Sequence, residues 1–220
     1  MLSPLLFLIY IADMELWVKH ASIRGYADDT ASSVSADVED EVIDKLETDA
    51  DHVLKFMASN FLMANPKKTG FLLIRKKQST LLRTIKVGGQ NIIESNVHRI
   101  LGLTVNSRLS WADHIYGEGR LLSSINQRIG ALKRISHHVP IQCLPQIAQA
   151  IVVSKIRYGI GLFADVRVHD SDPLCEASKD LQLALNKTMK IVTKSRRQDH
   201  IRISDLINRT GIQSFNRMSA

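Results

Sequence analysis

Gly25-Tyr26-Ala27-Asp28-Asp29-Thr30 sets two adjacent carboxylates between two β-prone runs, 21–27 and 30–36. The pattern predicts a hairpin with both acids at its tip. A tip of this kind concentrates negative charge where little else neutralises it, which suits a hard divalent cation. Mg²⁺ takes one or two carboxylates, keeps several waters, and completes its shell with substrate phosphates. Two such ions about 4 Å apart can hold the attacking and leaving oxygens of a phosphoryl transfer. The plainer alternative is a solvated Asp-Asp turn, since Asp favours turns.

The neighbouring stretches favour the first alternative. Leu2-Ser3-Pro4-Leu5-Leu6-Phe7-Leu8-Ile9-Tyr10-Ile11 lies just upstream of the hairpin. Asn65-Pro66-Lys67-Lys68-Thr69 and Phe71-Leu72-Leu73-Ile74 follow it, and then His98-Arg99-Ile100-Leu101-Gly102-Leu103-Thr104-Val105 with Leu109-Ser110-Trp111-Ala112-Asp113-His114-Ile115. In this order the blocks resemble a reverse transcriptase of the LINE (non-LTR retrotransposon) type. They correspond to the end of its substrate-binding loop and helix, its Tyr-Ala-Asp-Asp hairpin, its lysine-bearing loop and strand, and its primer-grip strand with the thumb entry. The resemblance covers roughly the whole chain and weakens after about Asp165.

The resemblance implies an α+β fold. Residues 1–109 would be a partial polymerase palm, an antiparallel sheet with packed helices, and residues 110–220 an all-helical thumb or connection region. It implies Asp28 as principal metal and catalytic ligand and Asp29 as the weaker second acid. Adjacent strand side chains point to opposite faces, so the two need not aim equally at one ion. Tyr26 and Ala27 would lie near substrate. Tyr26 reads equally well as a half-buried strand aromatic. Lys67 or Lys68 would approach the phosphates of the incoming nucleotide, as an electrostatic partner or a general acid; a solvated loop lysine fits the residues equally. Leu101 and Gly102 match the primer grip, where glycine allows close backbone approach. The basic groups Lys133 and Arg134, and Lys194, Arg196 and Arg197, suit a nucleic-acid backbone, or the cation preference of helix C-termini. The implied cofactor is Mg²⁺, with Mn²⁺ as the other candidate. The implied partners are an RNA template, a DNA primer and deoxynucleoside triphosphates.

Charge is distributed to match. Residues 1–64 hold 4 Lys/Arg against 12 Asp/Glu, and residues 65–220 hold 25 against 10, for a net of +7 overall. A basic half suits a polyanion, because Lys and Arg displace counterions from phosphates. Cys143 and Cys175 are far apart and form neither a disulfide framework nor a zinc spacing. Buried free thiols, an intracellular compartment (nucleus or cytoplasm) and no disulfide-linked partner are expected. The apolar opening has no charge before Asp13, which is short of the roughly 20 residues a spanning helix needs. It lacks a basic leader, so no membrane partner is expected. Ser3 as N-cap and Pro4 in the first turn predict a buried amphipathic helix to about His20.

Further along, Val38, Val42, Leu46, Ala50, Val53, Met57 and Phe61 recur at helical spacing over 37–63. The acids on that helix read as a solvated face. Residues 71–74 predict a short buried strand. Gly88-Gly89 between 84–87 and 92–93 predicts a hairpin, and 99–105 another strand of the same antiparallel sheet. From Ser110 helices are expected, near 115–132, 141–163, 173–193 and 202–208.

A two-metal polymerase site also needs a carboxylate from a separate strand, and in the family that strand precedes the Leu-Ser-Pro segment. Asp37 and Asp40 belong to the acidic helix and do not replace it. The expectation is therefore weak metal binding, an uncovered sheet edge, poor solubility and no primer extension by the isolated chain. A non-catalytic nucleic-acid-binding remnant of a decayed retroelement is the alternative. An upstream reading frame carrying the missing strand would separate the two.

Overall fold

The computed structural model describes residues 2–65, 68–75, 81–116, 119–163, 176–195, 199–215 and 218. The fold mixes helices with small antiparallel hairpins. It divides into two compact units, residues 1–98 and 99–220. The division falls ahead of Ser110, where the sequence places the change from strands to helices.

In the first unit, α1 (Ser3–Ile11) is followed by a 3₁₀ segment, Ala12–Trp17. Pro4 sits in the first turn of α1, where its missing N–H costs nothing. Ser3 does not cap: Leu2 takes that position, with no side-chain hydrogen bond. The expected burial is also corrected. No residue of α1 is buried, and Ile9 is 72% exposed. The segment Ser3–Ile11 is apolar nearly all round, so it has no polar face to turn outward.

Strands β1 (Ser22–Tyr26) and β2 (Asp29–Ser33) pair antiparallel, with Tyr26 opposite Asp29. Helix α2 (Glu39–Ser59) turns its apolar stripe toward β3 (Thr84–Val87), which pairs with β4 (Gln90–Ile93). Phe71, Leu73 and Ile85 form the buried centre, with Val42, Ile43 and Leu46 of α2 against it. Trp17 packs edge-on to Phe56 at 5.8 Å between ring centres. Gly88 and Gly89, with φ of 57° and 77°, make the primed two-residue turn that matches strand twist.

Three expectations about the sheet change. Residues 71–74 alternate between buried and more open positions but form no strand; Phe71 O accepts one backbone bond, from Ser95 N at 3.0 Å. The stretch 99–105 is not one strand. It folds as β5 (Val97–Ile100) and β6 (Leu103–Asn106) about Leu101 and Gly102, whose φ values of 49° and 81° turn the chain back. Among the described residues the strands form three separate two-stranded sheets, not one continuous sheet.

The second unit is built on helices. Short α3 (Ala112–Ile115) precedes α4 (Leu121–Ile135), which buries Leu121, Ile125, Ile129 and Leu132 at helical spacing. The apolar run expected as one helix over 141–163 is segmented. It comprises α5 (Leu144–Ala148), a π segment (Gln149–Val153), α6 (Ser154–Arg157) and α7 (Ile160–Phe163). Gly159, with φ of 73°, breaks it before α7, and a Cβ there would meet Leu103 Cδ2 at 2.8 Å. Helices α8 (Glu176–Val192) and α9 (Ile203–Thr210) complete the unit. Leu181, Leu185 and Met189 of α8, with Leu206 and Phe215, are fully buried in this core. Cys143 is exposed, which corrects the expected buried thiol; Cys175 lies outside the described residues. No helix among the described residues is long and apolar enough to cross a membrane.

Candidate metal and nucleic-acid site

The β1–β2 hairpin turns on Ala27 and Asp28. Ala27 has φ of 52°, a left-handed position that hairpin turns usually fill with glycine. For alanine it costs about 1 kcal/mol, and such strain collects at functional turns. Asp28 stands in the turn and Asp29 opens β2, and both are exposed. Among the described residues neither side chain takes part in a hydrogen bond or ion pair. Tyr26 is 67% exposed, so its ring is not the half-buried strand aromatic of the plainer reading.

Asp49 holds the segment that leads into this hairpin. Its carboxylate, on α2, is 1% exposed. Oδ1 accepts from Lys19 N at 2.9 Å, and Oδ2 from His20 N at 2.7 Å and Ala21 N at 2.6 Å. Burial alone would raise the carboxyl's pKa. The three backbone donors outweigh burial and hold it below its ordinary value. Sequence reasoning missed Asp49, although a signal was there: it falls three after Leu46 and four before Val53, inside the apolar stripe.

The acidic face of α2 is not simply solvated, as expected. Glu47 accepts from Lys86 N at 2.7 Å and Asp51 from Gly88 N at 3.3 Å, so one acid satisfies a β3 backbone donor and the other a donor of the β3–β4 turn. Near the helix start, Arg75 bridges Glu39 and Glu94. Its Nη2 lies 2.8 Å from Glu39 Oε1 and 2.9 Å from Glu94 Oε2. Arg83 pairs with Glu39 and Asp40. Glu94 also accepts from Arg83 N at 3.0 Å. Burial pushes the Glu94 carboxyl up, but Arg75 and the Arg83 amide together hold it below the carboxylate range. These groups tie the start of α2 to the segments around Arg75, Arg83 and Glu94.

The other expected site residues scatter. Lys68 is exposed, its amide bonded to Asn65 O at 3.0 Å; Lys67 lies outside the described residues. Among the described residues no bond or ion pair joins Lys68 to the Asp28–Asp29 turn. Leu101 and Gly102 form the β5–β6 turn, where Leu101 O accepts from the Tyr158 hydroxyl. Gly102 is required there by its φ, and a Cβ would lie 3.6 Å from Tyr158 Cε1. Lys133 and Arg134 are exposed in the last turn of α4. Lys194 is exposed just after α8, and Arg196 and Arg197 lie outside the described residues.

His114 is buried among Trp111 and Phe163. Its Nδ1 accepts from Thr104 N at 3.3 Å. Burial first, then the charges of Lys155, Arg120 and Arg99, hold its pKa below the ordinary histidine value.

Asp28 and Asp29 are hard oxygen ligands of the type Mg²⁺ or Mn²⁺ takes, and both are unpaired. Among the described residues no group of three His, Cys, Asp or Glu converges. By their chemistry the two carboxylates would make a partial ligand set, which water and phosphate oxygens would have to complete. No protein-family model, curated protein or solved structure matches this chain.

Proposed function

We propose that this chain carries the catalytic hairpin, part of the palm and the thumb of a LINE-type reverse transcriptase, an RNA-directed DNA polymerase. What carries this reading is the hairpin turn: two adjacent, exposed carboxylates without partners, beside an alanine held at positive φ. The ordered sequence blocks on both sides add to it, as does the basic second unit. Residues 99–220 hold 18 Lys/Arg against 9 Asp/Glu, a net of +9.

Asp28, with Asp29 as its weaker neighbour, would hold the divalent cation. Such an ion supplies charge stabilisation at phosphoryl oxygens. The chain's own part is to present both carboxylates on a short turn and to leave their outer side open. Asp49 fixes the strand entry, so the turn is displayed from a braced segment. The basic second unit would take a template–primer backbone through counterion release. Two carboxylates hold Mg²⁺ weakly without substrate, so the 220-residue chain by itself is expected not to extend a primer.

The test is binding and extension on a primed RNA template. Expected are binding that weakens steeply from low to moderate salt and no extension with Mg²⁺ or Mn²⁺. A flat salt response would refute nucleic-acid binding by charge. Metal-dependent extension would refute the inactivity of the isolated chain.

A further inference from the structure

A groove of about 380 Å³ in the second unit is lined by Gly102, Arg128, Ser154, Lys155 and Tyr158. Its volume lies in the roughly 300–1,000 Å³ range of ligand sites. Arg128 reaches it from α4 and donates Nη1 to Ile151 O at 2.8 Å, inside the π segment. That bond steadies a guanidinium whose fork carries five N–H donors, so others remain for a ligand. Ser154 Oγ bonds Ala150 O at 2.5 Å, which fixes the hydroxyl on the same side of the helix.

Lys155 is half-buried, and its ammonium has no carboxylate partner among the described residues. Arg128 likewise forms no ion pair among the described residues. Among the described residues neither groove cation is therefore paired with an acid. Tyr158 is pinned by the bond from its hydroxyl to Leu101 O, yet its side chain remains 50% exposed. Its ring edge lies beside Gly102, where no side chain covers it.

Two unneutralised cations beside a fixed, open aromatic ring form a pairing suited to single strands. The cations follow the backbone, and the ring stacks a base that a duplex would keep inside its own stack. We propose that this groove binds single-stranded nucleic acid, with a backbone phosphate on Arg128 and Lys155 and a base stacked on Tyr158. The proposal rests on the nucleic-acid binding assigned above to the second unit and gives it a place and a strand preference; it does not depend on the Asp28–Asp29 hairpin taking part in catalysis.

The experiment is fluorescence anisotropy of a short labelled oligothymidylate, and of a duplex of equal length, with the full chain over a salt series. Lys155→Gln is expected to reduce the slope of log affinity against log salt by about 1 and to weaken binding more than Lys179→Gln, an exposed lysine of α8 outside the groove. Tyr158→Leu is expected to weaken single-strand binding by roughly five-fold or more and to leave duplex binding unchanged. Tyr158→Phe keeps the ring without the hydroxyl and is expected to retain single-strand affinity. Equal effects of Lys155→Gln and Lys179→Gln would overturn the proposal. So would a Tyr158→Leu loss shared by the duplex, or one matched by Tyr158→Phe. The readout is binding alone, so it is separate from any failure of primer extension.

Discussion

Asp49→Asn removes one charge from the carboxylate that braces the hairpin. The wild-type group is 1% exposed and receives three backbone N–H groups at 2.6–2.9 Å. Asparagine offers one oxygen and turns an amide NH₂ toward the remaining donors. With its oxygen in the Oδ2 position, the His20 and Ala21 bonds persist without charge assistance, and Lys19 N is left unpaired. An unpaired buried donor costs about 1–3 kcal/mol, and two charge-assisted bonds become ordinary ones, so a loss of about 3 kcal/mol is expected. Urea denaturation measures the loss, and hydrogen exchange at the amides of 19–21 locates it. The pH dependence carries its own sign. The folded-state pKa lies below the ordinary 3.8, so the stabilisation is complete at neutral pH and is lost as pH falls through the folded value. The gap between wild type and variant should therefore close in acid. A gap under about 0.5 kcal/mol at neutral pH, with exchange unchanged at 19–21, would refute the bracing role.

Arg75→Met strands Glu94, whose side chain is 0% exposed, and should cost about 3–5 kcal/mol. Arg75→Met with Glu94→Leu should recover most of that in denaturant titrations; a double variant no better than the single would contradict it. Gly88→Ala should destabilise more than Gly89→Ala, because both need positive φ but only at Gly88 would a Cβ meet Leu54 Cδ1, at 2.7 Å. The shared backbone cost is about 1–2 kcal/mol, and equal urea midpoints for the two would contradict the ordering. His114 is held neutral by burial and by Lys155, Arg120 and Arg99. A folded-state pKa below the unfolded value means the unfolded chain binds the proton first, so stability should fall as pH drops below about 6.5. His114→Phe should flatten that slope in thermal unfolding at a series of pH values, and an unchanged slope would assign it to another group.

The β1–β2 hairpin was legible because alternating β-prone residues flank a short polar turn, and the β3–β4 hairpin because Gly88-Gly89 supplies two positive φ positions. Helices α2, α4 and α8 announced themselves by apolar residues at spacings of three and four. The break inside 99–105 was less legible, because Leu101 carries positive φ without being glycine; only Gly102 hinted at it. The segmented run over 141–163 hid its π segment, since a one-residue widening leaves the apolar pattern almost intact. The bracing at Asp49 and the Arg75–Glu94 bridge were not read, because each joins residues distant in sequence. At the candidate site, the acid pair was visible as residues and its exposure was not. The groove draws Gly102 from the β5–β6 turn, Arg128 from α4, and Lys155 and Tyr158 from α6 and its end, and no local pattern joins them.

The most direct measurement is Mn²⁺-induced paramagnetic broadening of backbone amide resonances, recorded with template–primer and a deoxynucleoside triphosphate present. Expected is broadening centred on Tyr26 to Thr30 that disappears in the Asp28→Asn, Asp29→Asn double variant. Broadening confined to the acids of α2, or hairpin broadening that survives the double variant, would contradict a cation site at the Asp28–Asp29 turn.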